Sequence, residues 1–170
     1  MQKPILITGA GGLLGGRITE LLDRADRPWT RLSHSHPDWN PERGECDPAL
    51  LQDAGTVIHL AGESIFGLRW TASKKKSIRD SRVNGTRALA AALASLEEKP
   101  EVLVCASAVG LYGDRGDEVL TESSPPGDGF LAEVVRGWEA AADPAREAGI
   151  RVVHLRLGVV LSPRGGALKT

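Results

Sequence analysis

The chain has few aromatic residues and almost no net charge. Its 170 residues include one tyrosine and two phenylalanines, and 21 basic against 22 acidic side chains leave a net charge of −1. A charge so close to zero creates no large field of either sign, which argues against nucleic acid or an anionic membrane as a partner. Because the hydrophobic and charged fractions, 41% and 25%, are ordinary for a globular protein, we expect one folded domain over residues 1–170.

Cysteine and long apolar runs are also scarce. The two cysteines, Cys46 and Cys105, match no metal-ligand spacing and indicate no disulfide framework. No stretch of about 18 apolar residues could form a membrane span, and the apolar run at residues 5–7 is too short for a signal peptide. The sequence therefore predicts a cytoplasmic protein without a metal site.

Short apolar runs alternate with longer helical patterns along the chain. Strands are predicted at residues 5–8, 29–32, 57–61, 102–107 and 151–157, helices at 13–25, 72–96 and 131–148, and irregular structure at 36–48. Continuous apolar strands separated by helices indicate an α/β fold, a doubly wound parallel sheet of the Rossmann type. Residues 162–170 look like a loop that opens toward further chain, so we expect a fragment or a shortened homologue.

A glycine turn joins the first strand to the first helix. Gly9, Gly12 and Gly15 follow a G-x-x-G-x-x-G spacing, a relative of the dinucleotide fingerprint G-x-G-x-x-G. Gly9 permits a sharp turn, Gly12 lets the backbone approach a pyrophosphate, and Gly15 lets the helix pack closely on the strand. Amides at the helix start would bind the phosphates. The predicted site comprises Gly9, Gly11, Gly12, Leu13, Leu14 and Gly15; the alternative is a tight turn without a ligand.

The end of the second strand bears on which dinucleotide is bound. An acidic side chain there would bind the ribose 2′-OH of NAD, whereas a cation suits the 2′-phosphate of NADP. The strand ends with the residues Arg31, Leu32, Ser33 and His34, none of which is a carboxylate. Arg17, just beyond the turn, could also reach a phosphate, although a solvated helix residue is an equal alternative. We therefore expect NADP(H), with NAD as the other option.

Further candidates follow the third strand and lie on the second helix. Leu60, Ala61, Gly62 and Glu63 leave the carboxyl end of a strand, where doubly wound sheets bind ligands, although Glu63 could instead cap a helix. Arg82 is placed to face the cleft. Its neighbours at residues 74–79 read as a phosphate patch or, more simply, as a solvated face. His59, within a strand, is expected to be a core histidine, and two tryptophans, Trp70 and Trp138, are expected to pack rather than bind.

Several segments resemble the extended and atypical short-chain dehydrogenase/reductase superfamily. Besides the glycine turn, these are residues 57–63 (VIHLAGE), 82–86 (RVNGT) and 106–114 (ASAVGLYGD). More narrowly, residues 127–133, Trp138-Glu139 and 157–162 are similar to the nucleoside-diphosphate-sugar epimerase-like group of epimerase family proteins. The resemblance implies an NAD(P)-binding Rossmann fold whose C-terminal substrate lobe is mostly missing from this chain.

The resemblance also implies a catalytic Tyr-x-x-x-Lys pair, and here the sequence departs from the pattern. Phe130 and Val134 stand where the tyrosine and lysine would fall, and neither can exchange a proton. The slot of the usual serine falls on Ala108, and Ser107, one residue away, would face the other side of the strand. Ser107 and Tyr112 are thus the weak catalytic candidates, Tyr112 being expected in a structural role.

Two functions remain open from the sequence. The first is an NADP(H)-dependent oxidoreductase or epimerase that acts on a small molecule similar to a nucleotide-sugar. The second is a non-catalytic NADP(H)-binding sensor or interaction module. We expect the present chain to be inactive and to bind cofactor weakly, because a lobe is absent. By analogy with the superfamily, small-residue faces at 88–96 and 131–142 predict a homodimer.

Overall fold

The computed structural model describes residues 2–65 and 69–166. In chain order its elements are β1 (Ile5–Thr8), α1 (Leu13–Arg24), β2 (Trp29–Leu32), β3 (Trp39–Asn40), β4 (Glu45–Cys46), β5 (Thr56–His59), α2 (Ala72–Ser95), β6 (Val102–Ala108), α3 (Phe130–Ala140), α4 (Asp143–Glu147), β7 (Arg151–Leu157), β8 (Leu161–Ser162) and β9 (Gly165–Gly166). Short 3-10 turns at Pro48–Leu51 and Val109–Tyr112 complete them.

Five parallel strands form the central sheet in the order β2-β1-β5-β6-β7. Both faces are covered. Leu6, Val57 and Leu103 pack with residues of α2 and α4 in one core cluster, whereas Ile5 and Ile7 pack with α1 on the opposite face. This arrangement confirms the predicted doubly wound α/β fold.

The order of the strands fixes where a ligand can bind. The chain leaves β1 for β2 on one side and later returns to place β5 on the other side, with Thr8 beside His59 at the carboxyl ends. In open parallel sheets a crevice forms where the order reverses in this way. The glycine turn after β1 and the segment 60–63 after β5 both begin at this crevice.

The segment between β2 and β5 is more regular than predicted. Within residues 36–48, expected to be irregular, β3 and β4 pair as a short antiparallel hairpin. Trp39 is 1% exposed, and the Asn84 side-chain amide donates to the Glu42 carbonyl oxygen at 3.2 Å. The hairpin thus rests on α2 and takes the place of a helix and strand, so β2 forms the edge of the sheet. The strand predicted at 57–61 ends at His59, which leaves Leu60 and Ala61 in the following loop.

The single helix predicted at 131–148 is wrong, because the chain forms two helices there. α3 ends at Ala140 and α4 begins at Asp143. Pro144 explains the break: it has no N–H to donate to the carbonyl of Ala140, and its ring would clash with that carbonyl in a continuous helix. In the first turn of α4 the missing donor costs nothing.

Two segments with predicted roles, the dimer face at 88–96 and the C-terminal loop at 162–170, can be compared with the structure. Leu89, Ala90 and Leu93 are buried in the chain's own core, so much of the face at 88–96 is not free for a dimer. Residues 161–166 form the small β8–β9 pair, and residues 167–170 of the predicted loop lie outside the described residues. Within the described ranges, no helix is both apolar enough and long enough to span a membrane.

Gly15 and Gly16 form a matched pair for testing how closely α1 packs on β1. A Cβ at Gly15 would overlap the Gly9 carbonyl oxygen and lie 2.7 Å from Ala10 Cα, whereas one at Gly16 meets nothing closer than 3.9 Å. We expect Gly15→Ala to lower the free energy of unfolding in urea by about 2 kcal/mol or more. Gly16→Ala should leave it equal or raise it by up to about 1 kcal/mol, through helix propensity. Equal effects of the two substitutions would contradict this packing.

Candidate functional site

The glycine turn lies in direct backbone contact with the chain after β5. Gly9 has φ +72°, and a Cβ there would come within 2.7 Å of the carbonyl carbon of Leu60. The Gly12 amide donates to the Gly9 oxygen at 3.0 Å, which closes the turn. α1 begins at the next residue, and no side chain caps its N-terminus. The first amides of the helix therefore point to a place where an anion fits.

Two cavities meet over this turn. The first, of about 590 Å³, lies toward β2 and the β3–β4 hairpin. The second, of about 560 Å³, lies toward the ends of β6 and β7 and is walled by α3. Gly9, Gly12 and Leu60 line both cavities. The two cavities therefore adjoin at the glycine turn, beside the start of α1.

Polar side chains from the end of β2 and from the β3–β4 hairpin line the first cavity. Ser33 and His34, both predicted, lie there beside Arg31 at the end of β2. The hairpin adds Glu42, which the sequence analysis missed because it treated this segment as an irregular loop. The cavity therefore offers both a cation and a carboxylate, the two groups that distinguish a ribose 2′-phosphate from a free 2′-OH.

Glu63 lines the first cavity beside α2. Its amide donates to Ser81 Oγ at 3.1 Å, and its carboxylate pairs with the Lys74 ammonium. The alternative that Glu63 caps a helix is wrong, because Thr71 caps α2, accepting from the Lys74 amide at 3.2 Å. Lys76 and Arg79 pair with Asp80, so the geometry favours the solvated face over the phosphate patch for residues 74–79.

Arg82 does face the cleft, as its position on α2 predicted. It lines the second cavity, and its guanidinium stacks 5.1 Å over the centre of the Trp138 ring. It donates to the carbonyl oxygens of Glu63 at 2.9 Å and Ile78 at 3.1 Å. Burial lowers the pKa of Arg82, yet its ordinary pKa is so high that it stays charged. The cleft thus holds a half-buried positive charge.

Arg17 lies away from both cavities. Its guanidinium donates to Glu20 at 2.9 Å, and half of the side chain is exposed. The lining residues of the two cavities do not include it. The geometry therefore favours the solvated-face alternative for Arg17.

Ser107 is the polar side chain that β6 brings to the second cavity. Its hydroxyl donates to Glu139 Oε1 at 2.5 Å, and Arg156 donates to both Glu139 oxygens at 2.9 Å. Burial would raise the pKa of Glu139, but the hydrogen bonds from Arg156 and Ser107 outweigh it and hold that pKa below its usual value. Ser107 faces α3, opposite to Ala108 in the strand, yet both line the cavity because it wraps around the strand end.

Three further positions that the resemblance singled out, Tyr112, Phe130 and Val134, place no hydroxyl or ammonium group in the second cavity. The Tyr112 hydroxyl accepts from Arg156 at 2.8 Å, and Tyr112 lines a separate cleft beside β7 instead of the second cavity. Phe130 packs edge-on against Trp70, with ring centres 5.8 Å apart. Val134 contributes an aliphatic wall. Tyr112 thus lies against Arg156 and away from the second cavity, and its structural role stays a prediction.

His59 supports the cleft from inside the core. Its Nδ1 lies 2.6 Å from Thr8 Oγ1 and its Nε2 lies 3.0 Å from Thr86 Oγ1, so both ring nitrogens have hydroxyl partners. The Ala61 amide also donates to Thr8 Oγ1, at 3.3 Å. This network ties the residue before the glycine turn to the loop after β5 and to α2. His59 is fully buried, which lowers its pKa to about 4.

Comparison with known proteins places this geometry in a family. A sequence model described as the NAD dependent epimerase/dehydratase family matches residues 5–169. An epimerase family protein of Mycobacterium bovis is 43% identical over 171 residues, covering 97% of this chain and 56% of its own length. The chain thus spans little more than half the length of the curated relatives it matches.

Solved structures agree with the sequence match. The nucleoside-diphosphate sugar epimerase from Corynebacterium glutamicum superposes with a TM-score of 0.86 at 42% identity, covering 99% of this chain and 36% of that one. The human epimerase family protein SDR39U1 (isoform 2), solved with NADPH, gives a TM-score of 0.79 at 30% identity, covering 97% and 57%.

The burial of His59 predicts a loss of stability in mild acid. His59 is neutral in the folded chain, with a pKa of about 4 against an ordinary 6.5. Its contribution to the free energy of unfolding is complete above pH 6.5, where His59 is neutral in both states. The contribution is lost as the pH falls from 6.5 to about 4, because in that window the unfolded chain binds a proton and the folded chain does not. Urea unfolding from pH 7.5 to pH 4 should show a loss on the order of 3 kcal/mol from this group.

His59→Gln is the matched variant, because it removes the titration and keeps a polar side chain. Its unfolding free energy should vary less with pH over the same range, while the other titrating groups affect both proteins alike. A His59→Gln variant with the same slope as the original chain would contradict the assignment.

Proposed function

The chain belongs to the NAD dependent epimerase/dehydratase family, and from this premise we propose that it binds a nicotinamide dinucleotide across the glycine turn. The observation that carries the proposal is that two cavities adjoin over the glycine turn, since Gly9 and Gly12 line both. The pyrophosphate would lie on the first amides of α1, where a side chain at Gly12 would crowd it. The adenosine half would occupy the first cavity and the nicotinamide half the second.

We propose NADP(H) as the preferred form. Arg31 and His34 at the end of β2 offer guanidinium and imidazole donors to a 2′-phosphate. The relative crystallised with NADPH supports this choice. Glu42 lines the same cavity and would instead favour a free 2′-OH. Binding of NAD is therefore the alternative, and substitutions of Arg31 and Glu42 distinguish the two cofactors.

The proposed activity is that of an epimerase or oxidoreductase on a small molecule similar to a nucleotide-sugar. A nicotinamide ring would supply hydride exchange with a substrate carbon. Arg82, half-buried and charged beside the glycine turn, would attract the anionic groups of such a substrate or of the cofactor. The name of the Corynebacterium relative, a nucleoside-diphosphate sugar epimerase, supports this substrate class. The two free thiols favour the cytoplasm as the location.

A non-catalytic NADP(H)-binding module is the second candidate, and one observation favours it. By the resemblance, Phe130 and Val134 fall where the superfamily has its tyrosine and lysine, and Tyr112 lines another cleft. A chain with these side chains binds cofactor through the glycine turn without the superfamily's proton donor. Two assays separate the candidates. An oxidoreductase oxidises bound NADPH when it reduces a carbonyl compound, whereas an epimerase inverts a nucleotide-sugar with the oxidised cofactor and returns the hydride without net consumption. A non-catalytic module does neither.

Calorimetric titration with NADPH tests the binding site directly. We expect saturable binding of one NADPH per chain, weakened about tenfold or more by Gly12→Val, because the branched side chain would occupy the place of the pyrophosphate. Gly16→Val is the matched control, since it adds the same side chain to the same helix where nothing lies within 3.9 Å of the Cβ. Equal affinities of the Gly12→Val variant and the control would contradict the proposed site.

Arg31→Ala tests the preference for NADP(H). The substitution should weaken NADPH binding by about tenfold, the value of one charge-assisted hydrogen bond, and leave NADH binding nearly unchanged. Arg27→Ala is the control, because Arg27 is exposed and lines neither cavity. Equal weakening of NADPH and NADH binding by Arg31→Ala would contradict the preference for NADP(H). If the original chain binds NADH more tightly than NADPH, and Glu42→Gln weakens the binding of NADH, the first cavity binds NAD.

A further inference from the structure

Arg82 brings a charge without a counter-charge to the second cavity. Among the described residues that line this cavity, Arg82 alone is charged, and most of the others are aliphatic. It forms no ion pair with a carboxylate anywhere in residues 2–65 and 69–166. Glu63 offers it a carbonyl oxygen but pairs its own carboxylate with Lys74. A half-buried cation in apolar surroundings is costly without an anion, so an anionic ligand would be stabilised there.

The hydrogen bonds of Arg82 leave one edge of the guanidinium unused. Nη1 donates to the carbonyl oxygens of Glu63 at 2.9 Å and Ile78 at 3.1 Å. Nε and Nη2 have no hydrogen-bond partner in the part of the chain that the structure describes. These two groups lie side by side with parallel N–H bonds, the arrangement that binds both oxygens of a carboxylate.

Arg156 shows what such an edge binds in this chain. Its Nη1 also donates to a carbonyl oxygen, that of Glu122 at 2.8 Å, and its guanidinium lies over an aromatic ring, as that of Arg82 does. Its Nε and Nη2 each donate to one oxygen of the Glu139 carboxylate, both at 2.9 Å. Arg82 thus repeats the contacts of Arg156 without the carboxylate.

We propose that the Nε–Nη2 edge of Arg82 binds the carboxylate of an acidic substrate, whose apolar part lies against the aliphatic walls of the second cavity. The inference rests on the proposed function for the role of the ligand as a substrate, and it deepens that function by naming a group that the substrate carries. A carboxylate fits better than a phosphate, because its two oxygens use the two free N–H groups and its single charge matches the one cation of the described lining.

Cyclohexanecarboxylate and cyclohexanecarboxamide are suitable probes, because they share the ring and a planar polar group but only the first is charged. Dissociation constants for both are measured by ligand-observed nuclear magnetic resonance in a buffer free of phosphate and carboxylic acids. We expect the carboxylate to bind about tenfold more tightly, because a guanidinium donates more strongly to an ionised acceptor than to a neutral one. Equal binding, tighter binding of the amide, or no binding of the carboxylate would overturn the inference.

Three variants locate the preference at Arg82. Arg82→Gln removes the charge and should bring the ratio of the two dissociation constants close to one. Arg79→Gln is the matched control and should keep the original ratio, because Arg79 lies on the same helix, pairs with Asp80 and lines neither cavity. If Arg82→Gln does not fold, Arg82→Lys decides: it keeps a charge but has no pair of parallel N–H bonds, so the ratio should fall, and an unchanged ratio would overturn the inference.

The outcomes for the carboxylate site and for the cofactor are separable. The measurements are repeated with NADP⁺, which should leave the preference for the carboxylate in place, since substrate and cofactor bind together. Carboxylate binding that NADP⁺ abolishes would assign the Arg82 edge to the cofactor and overturn the inference. Failure to bind NADPH, together with a preference that Arg82→Gln abolishes, would refute the cofactor proposal and leave the carboxylate site standing.

Discussion

The cleft depends on backbone packed against backbone at two glycines. Gly9 brings the turn after β1 onto the carbonyl of Leu60, and Gly15 lets α1 rest on Gly9 and Ala10, at distances where a Cβ cannot fit. Because the start of α1 is thereby held over the carboxyl ends of β1 and β5, its amides face the crevice that the strand order creates. Side chains at these positions would push the helix away and separate the two cavities.

The buried hydroxyl–imidazole network holds the same junction from below. Thr8 contacts the His59 ring and the Ala61 amide, and His59 contacts Thr86 on α2. These hydrogen bonds thus join three elements around the crevice. They also satisfy polar groups that would otherwise be buried without a partner. The neutral His59 fits this role because either ring nitrogen can donate or accept with a hydroxyl.

The sequence predicted the features that are local in the chain. The apolar runs gave the strands of the central sheet, and the glycine spacing gave the turn with its correct helix start at Leu13. Pro144 could have revealed the break between α3 and α4, because its helix-breaking effect is itself local. The β3–β4 hairpin could not be predicted from periodicity, since its strands have two residues each and depend on contacts with α2.

The site residues that the sequence missed belong to contacts between distant elements. Glu139 was noticed only as part of Trp138-Glu139, yet it joins Ser107, 32 residues earlier, to Arg156, 17 residues later. The one advance signal is a carboxylate on the inner face of an apolar helix, which requires a buried partner. The alternation of side chains along β6 correctly placed Ser107 and Ala108 on opposite faces of the sheet. It could not show that the second cavity reaches both residues.

The central claim is that the amides at the start of α1 hold a pyrophosphate. A crystal of the chain soaked with NADPH tests it most directly. The account predicts density for two linked phosphates against the Leu13 and Leu14 amides, with the adenine toward His34 and the nicotinamide toward Ser107. Density for a fully occupied NADPH at another place on the chain, with no phosphate density beside the Leu13 and Leu14 amides, would contradict the claim.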